Sequence, residues 1–285
     1  MRVRTLLSMY LSYILFSLLG RYSHLFFQAI GLRPAKLGYM GYRDLVICKT
    51  LYDKNGLAKW TPDRTGARLD ERIVEYPWLL SNLPADAGKL LDAGSALNYE
   101  YLVEHPLLKN KHIYIYTLAP EKQAFWSKGI SYSYDDLRAL SFREDLFDWI
   151  VSLSTIEHVG LDNTFLYTSD KKRNENNPHE FAVAVREMKR VLKPGGHLYL
   201  SVPFGKHCNM KWLQIFDAPM VDLIIENFAP TRHNERHYLY TKTGWQVSDR
   251  EKSSNATYYD PQTARRLDPD GAAGARAVVC IDLVK

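Results

Sequence analysis

The chain has 285 residues, 46% hydrophobic and 24% charged, with a formal net charge of +5. That is a globular composition with enough apolar material for a sizeable core, so a disordered or low-complexity chain is excluded. The basic excess is too small to imply nucleic-acid binding, and three cysteines far apart, Cys48, Cys208 and Cys280, argue against a disulfide framework or a cysteine zinc site and fit a reducing compartment.

The first segment, residues 1–32, is apolar. Leu6 to Leu19 reads LLSMYLSYILFSLL without a charge, with Arg2 and Arg4 before it and Arg21 after it. As a helix it is about 21 Å long, short of the roughly 30 Å core of a bilayer. Three readings stay open. One is a signal-anchor or interfacial helix, its arginines suited to anionic headgroups; the protein is then cytoplasmic and membrane-associated through residues 5–20. The second is a soluble helix packed on the domain. The third is a cleaved signal peptide, for which Gly20-Arg21-Tyr22 is a poor cleavage site.

Residues 33–84 form the next unit. Pro34, Gly38, Gly41, Gly56, Pro62 and Gly66 punctuate a connector with short elements, and Arg72 to Leu83 reads as a helix that Pro77 breaks or starts. From residue 85 to 285 a regular alternation sets in. Strands are expected at Lys89–Gly94, His112–Tyr116, Ile130–Tyr134, Phe147–Leu153 and His197–Val202. Helices are expected from Pro120 to Ser127, opened by its proline, and from Glu180 to Leu192, where Phe181, Ala184, Val185, Met188 and Leu192 share one face. Lys193-Pro194-Gly195-Gly196 stops the second helix and turns into the next strand. Thr231 to Asp249 supplies a hairpin strand and Ala277 to Val284 the last strand. Alternating strands and helices imply an α/β fold, a parallel sheet covered on both faces, with ligands at the carboxyl ends of the strands where strand order reverses.

Three segments carry a resemblance. They are LLDAGSALN (Leu90 to Asn98), DLRALSFREDLFDWIVSLSTIEHVG (Asp136 to Gly160) and REMKRVLKPGGHLYLSVPFG (Arg186 to Gly205). Together, in this order and spacing, they resemble the class I S-adenosylmethionine-dependent methyltransferases, in particular methyltransferase type 11. The resemblance implies a Rossmann-like three-layer sandwich: a mostly parallel seven-stranded sheet with one antiparallel strand near the C-terminus. It implies S-adenosylmethionine as the cofactor and a small-molecule, lipid or sugar acceptor. No metal is expected, because His233, Glu235 and His237 lack a helical ligand frame, and no nucleic-acid partner is expected.

The resemblance also implies a cofactor site. Asp92, Gly94, Ser95 and Ala96 form the turn after the first strand, where glycine lets a ligand approach the backbone. Ala96 and Asn98 stand where the family has its second and third glycines. Thr117 and Leu118 end the second strand; Thr117 replaces the acid that binds the ribose hydroxyls, and a hydroxyl is not a bidentate anion. Glu121 lies one helical turn further on, where the helix dipole favours it. Asp136 and Leu137 take the adenine positions, and Asp136 also reads as an N-cap. Ser154 ends the fourth strand. Methyl transfer needs alignment of donor and acceptor, and a hydroxyl or amine acceptor also needs a base. His158 and His207 are the catalytic candidates, since imidazole titrates near neutrality. The competing function is a binding or scaffold protein on the same fold that no longer uses the cofactor, which the departures at Ala96, Asn98 and Thr117 favour.

Overall fold

The computed structural model describes residue 25 and residues 36–53, 56–57, 60–260 and 274–285. The segment Leu6 to Leu19 lies outside these. Among the described residues no helix is long and apolar enough to cross a membrane.

A central sheet organises the chain. Its strands are β1 (Lys89–Ala93), β2 (His112–Thr117), β3 (Ser131–Tyr134), β4 (Phe147–Leu153), β5 (Leu192–Pro203), β8 (Arg232–Thr241), β9 (Gly244–Ser248) and β10 (Ala277–Val284), while β6 (Cys208–Asn209) and β7 (Gln214–Ile215) form a separate small hairpin. The order is β3-β2-β1-β4-β5-β10-β8-β9. β1 to β5 pair in parallel, and β10 runs antiparallel to both β5 and β8. The expected seven-stranded sheet with its antiparallel C-terminal strand is therefore present. An eighth strand extends it, because the 231–249 stretch folds back on itself at Thr241 and Gly244 to pair β8 with β9.

Neighbouring residues of each strand enter different cores, as the period of two requires. Leu90, Ile113, Trp149, Val151 and Val278 face one core; Leu91, Ile150, Leu198, Val279 and Ile281 face the other. The first core is covered by α1 (Lys36–Leu51), α2 (Arg72–Asn82), α3 (Glu100–Val103) and α4 (Pro106–Lys109), and the second by α5 (Phe181–Val191) and α6 (Ala218–Phe228). In α5, Phe181, Ala184, Val185, Met188 and Val191 are all buried, and each of the larger side chains contributes about 1.5–3 kcal/mol. A last short helix, α7 (Arg250–Ser253), follows β9.

Four local expectations are corrected by tertiary contacts. Residues 36–51 are a 16-residue helix and not a connector. Its glycines cost about 1 kcal/mol each, but Ile47 and Leu51 are buried and the Arg43 guanidinium and Tyr39 hydroxyl both reach Asp70 at 3.1 and 2.8 Å. Pro77 neither starts nor breaks α2; it lies inside it, among residues buried from Ile73 to Leu80, so packing outweighs one missing hydrogen bond. Residues 120–125 are not helical; a single 3₁₀ turn covers Trp126–Lys128. Backbone groups a helix would use are taken by side chains instead: Asn98 donates to the Gln123 carbonyl at 2.8 Å, and the Phe125 N–H donates to the Tyr132 hydroxyl at 2.8 Å. Finally, β5 begins at Leu192, before the Lys193–Gly196 turn, which bulges out between the Phe147–Leu192 and Trp149–His197 pairs.

Candidate active site

β1 is flanked by β2 on one side and β4 on the other, so strand order reverses there and a crevice opens at the carboxyl ends. A cavity of about 370 Å³ lies in it, within the range of small-molecule and cofactor pockets. Gly94, Thr117, Leu118, Asp136, Leu137, Ser154 and His158, seven of the residues expected from the sequence, line it together.

The turn after β1 is held by Asp92. Its two carboxylate oxygens accept the N–H groups of Ala96 and Leu97 at 3.0 and 2.8 Å, and the side chain is fully buried. Burial pushes this carboxyl up to about 7 against the pull of those two donors. Asp92 and Ala96 thus build the turn from inside, and neither lines the cavity; nor does Ser95, whose hydroxyl oxygen is buried without a partner. Gly94 has φ +121°, and a Cβ there would come within 2.1 Å of the Thr155 hydroxyl. The β1 turn and the β4 turn pack too closely for any other residue.

At the β3 end the charged groups are already paired. Asp136 caps the turn Leu137–Ala139 by accepting the Arg138 N–H at 2.8 Å, as its N-cap reading anticipated. The Arg138 guanidinium then forks onto the same carboxylate, with Nε at 3.0 Å and Nη2 at 2.5 Å, and onto Glu175 with two bonds of 2.8 Å. Glu180 accepts a further bond at 3.4 Å. Burial opposes the charge on Asp136, but the Arg138 contacts win and hold its carboxyl below the usual range. Thr117 and Leu118 sit beside this clamp; Glu121 is exposed and does not reach the cavity.

Through Glu175 the clamp holds the segment 161–176 over the cavity. The ends of that segment meet where Asn177 N–H donates to the Gly160 carbonyl at 2.7 Å, the signature of a compact surface loop. Its Phe165, Leu166 and Tyr167 line the cavity while remaining solvent-exposed.

At the β4 end, Ser154 has φ +42° and its hydroxyl donates to Glu75 at 2.6 Å. Glu75, fully buried on α2, also takes the Ser201 hydroxyl at 2.6 Å and Arg72 at 2.7 Å. Sequence reasoning missed Glu75 and Arg72 because α2 lies outside the recognisable segments. His158 Nδ1 lies 2.8 Å from the Trp212 carbonyl. A carbonyl only accepts, so Nδ1 carries the proton and Nε2 is left as the acceptor. Burial lowers the His158 pKa below the ordinary imidazole value, keeping the ring neutral at pH 7. Its Nε2 stands 3.9 Å from Glu157, a buried carboxyl that desolvation holds well above the usual range. His207 is placed elsewhere: its Nδ1 pairs with the Ile215 carbonyl at 2.9 Å across the β6–β7 hairpin, outside the cavity. Trp212, on the same hairpin, does line it and had no sequence signal.

His233, Glu235 and His237 lie on β8, where His233 is exposed and His237 is buried with its Nε2 3.0 Å from Glu235. Among the described residues, no group of three or more potential ligands could hold a metal ion.

Residues 93–200 match a family model described as a methyltransferase domain. A search of curated proteins finds no match. Among solved structures, the chain is similar to a SAM-dependent methyltransferase from Thermotoga maritima (13% identity, 73% of this chain and 86% of that one, TM-score 0.43). It is also similar to the N-methyltransferase NodS from Bradyrhizobium japonicum (14%, 75% and 96%, TM-score 0.44). A third is 1,6-didemethyltoxoflavin-N1-methyltransferase from Burkholderia thailandensis, solved with 1,6-didemethyltoxoflavin and S-adenosylhomocysteine (12%, 87% and 84%, TM-score 0.43). The matched segment contains the cavity wall from Gly94 to Glu175. By that match the segment from the end of β1 into β5 is similar to a methyltransferase domain.

Proposed function

We propose that the protein transfers a methyl group from S-adenosylmethionine to a small-molecule, lipid or sugar acceptor, with His158 as the general base. The observation that carries this reading is the single cavity that joins the ends of β1, β2 and β3 to a neutral histidine after β4. The residues there fit the cofactor: an ionised carboxylate on Asp136, a hydroxyl on Thr117, apolar Leu118 and Leu137 for a flat base, and bare backbone at Gly94. In this reading Leu118, Asp136 and Leu137 hold the adenine, Thr117 the ribose, and the Gly94–Ser95 backbone with Ser154 the amino-acid end. Asp92 and Ala96 act by shaping the turn. S-adenosylmethionine bound there would supply an activated methyl carbon on a sulfonium, with a neutral thioether as the leaving group. His158 Nε2 takes the acceptor's proton and returns it to solvent.

The second reading is a cofactor-free scaffold, favoured by Thr117 in the ribose position and by the Asp136 oxygens already bonded to Arg138. Titration calorimetry with S-adenosylhomocysteine separates the two. The enzyme reading expects saturable binding; no heat and no thermal shift at millimolar ligand leaves only the scaffold.

A further inference from the structure

The cavity has two unlike ends. Its charged lining residues, Asp135, Asp136, Arg138 and Glu175, all belong to the β3 end or to the clamp that reaches it. The β4–β5 end is walled by Leu161, Phe165, Trp212 and His158. Phe165 and Trp212 meet edge to face, ring centroids 6.1 Å apart at 79°, and His158 lies against the same indole at 5.2 Å. Phe165 is 57% exposed although it lines the cavity, so it presents a free ring face. Among the described residues lining this end, His158 is the one titratable group, and it is neutral.

On residues lining this end, two polar atoms have no partner, Trp212 Nε1, a donor, and Asn163 Oδ1, an acceptor; Glu157 Oε2, behind His158, is a third. The Asn163 amide cannot be turned the other way, because its Nδ2 donates to the carbonyls of His158 and Leu161 at 2.7 and 3.1 Å. Asn163 is more than nine-tenths buried and both residues line the cavity. Buried polar groups are almost always paired, so a ligand group that accepts from one and donates to the other would complete them. A hydroxyl is such a group.

From these walls and these two unpaired atoms, we infer that the methyl acceptor is an uncharged aromatic compound carrying a hydroxyl, seated between Phe165, Trp212 and His158. This rests on the methyltransferase reading above and narrows its acceptor. A carboxylate would find no cation at this end, and an ammonium would find no ionised carboxylate lining it, since the nearby Glu157 does not line the cavity and burial pushes its carboxyl toward the neutral form. A sugar would bring several hydroxyls to a wall offering partners for about one, which costs it hydration without return. A planar ring instead packs edge to face against the two aromatic side chains, with its hydroxyl within the domain of His158, Trp212 and Asn163.

The test uses the full chain, with and without saturating S-adenosylhomocysteine, titrated with 2-naphthol, methyl β-glucoside, hexylamine, benzoate and 1-octanol, followed by calorimetry and by tryptophan fluorescence. The expected result is 2-naphthol binding at least about tenfold tighter than each of the others, with Trp212→Ala weakening it about tenfold and leaving S-adenosylhomocysteine affinity unchanged. Phe165→Ala, at an exposed position, is the second variant should Trp212→Ala fail to fold, and it is expected to weaken 2-naphthol alone. Equal or tighter binding of the glucoside, amine, carboxylate or alkanol overturns the inference, as does unaltered 2-naphthol affinity in the folded variants. Absence of S-adenosylhomocysteine binding with 2-naphthol binding retained rejects the cofactor reading and not the aromatic site.

Discussion

The β3 end and the β4–β5 end of the cavity treat their polar groups in opposite ways. At the β3 end Asp136 is bonded three times by the Arg138 guanidinium and once by a backbone N–H, and Arg138 is itself shared with Glu175. At the β4–β5 end, Trp212 Nε1, Asn163 Oδ1 and His158 Nε2 are left without a close partner. Prepaid bonds fix geometry before a ligand arrives, whereas open ones gain only when the ligand supplies the match. One end is a bonded frame, and the other is where the proposed reading places recognition of the acceptor and transfer of its proton.

The largest expected effect comes from breaking the frame at its hinge. Gly94→Val places a side chain on Thr155 and forces a positive φ on a branched residue, so it should cost at least about 3 kcal/mol. Urea unfolding measures this, and a variant as stable as the parent would show that the β1 and β4 turns are not locked together.

At the open end, His158→Gln should lower the rate of methyl transfer to 2-naphthol by about 10²–10⁴ while leaving S-adenosylhomocysteine affinity within about threefold. A parallel loss of cofactor affinity would instead place His158 in the frame.

Arg138→Ala removes the clamp. It should weaken S-adenosylhomocysteine about tenfold, since a charge-assisted fork orders Asp136 and the overlying loop. Amide exchange across residues 161–176 should rise in the same variant; unchanged protection would detach the loop from the clamp.

A gentler test is pH. The folded-state pKa of His158 is lowered, so the unfolded chain binds its proton first as pH falls. Its contribution to stability is complete above about 6.5, the unperturbed value, and declines from there down to the lower folded pKa. Activity should likewise hold below the usual imidazole midpoint before it falls. An acid limb centred above that midpoint would contradict a desolvated base. The smallest effect is at the loop: Leu166→Ser, at a position 56% exposed, should change stability by less than about 0.5 kcal/mol, and a large loss would mean the loop belongs to the core.

The sequence by itself determined the frame. Phe147–Leu153 is a strand as read, β1 and α5 fall within the expected 89–94 and 180–192 stretches, and the lining positions from Gly94 to His158 come together where strand order reverses. These features are local: apolar periodicity, a turn glycine and a capping acid each act within a few residues. Tertiary structure alone decided the rest. Asp92 turned inward because its two donors lie on the folded turn, residues 120–125 lost their helix to the side chains of Asn98 and Tyr132, and His207 was carried to the β6–β7 hairpin. Glu75 and Trp212 reached the site from α2 and from that hairpin, far away in the chain. Contacts between such distant residues leave no spacing or period to read, so only the packed sheet brings them together.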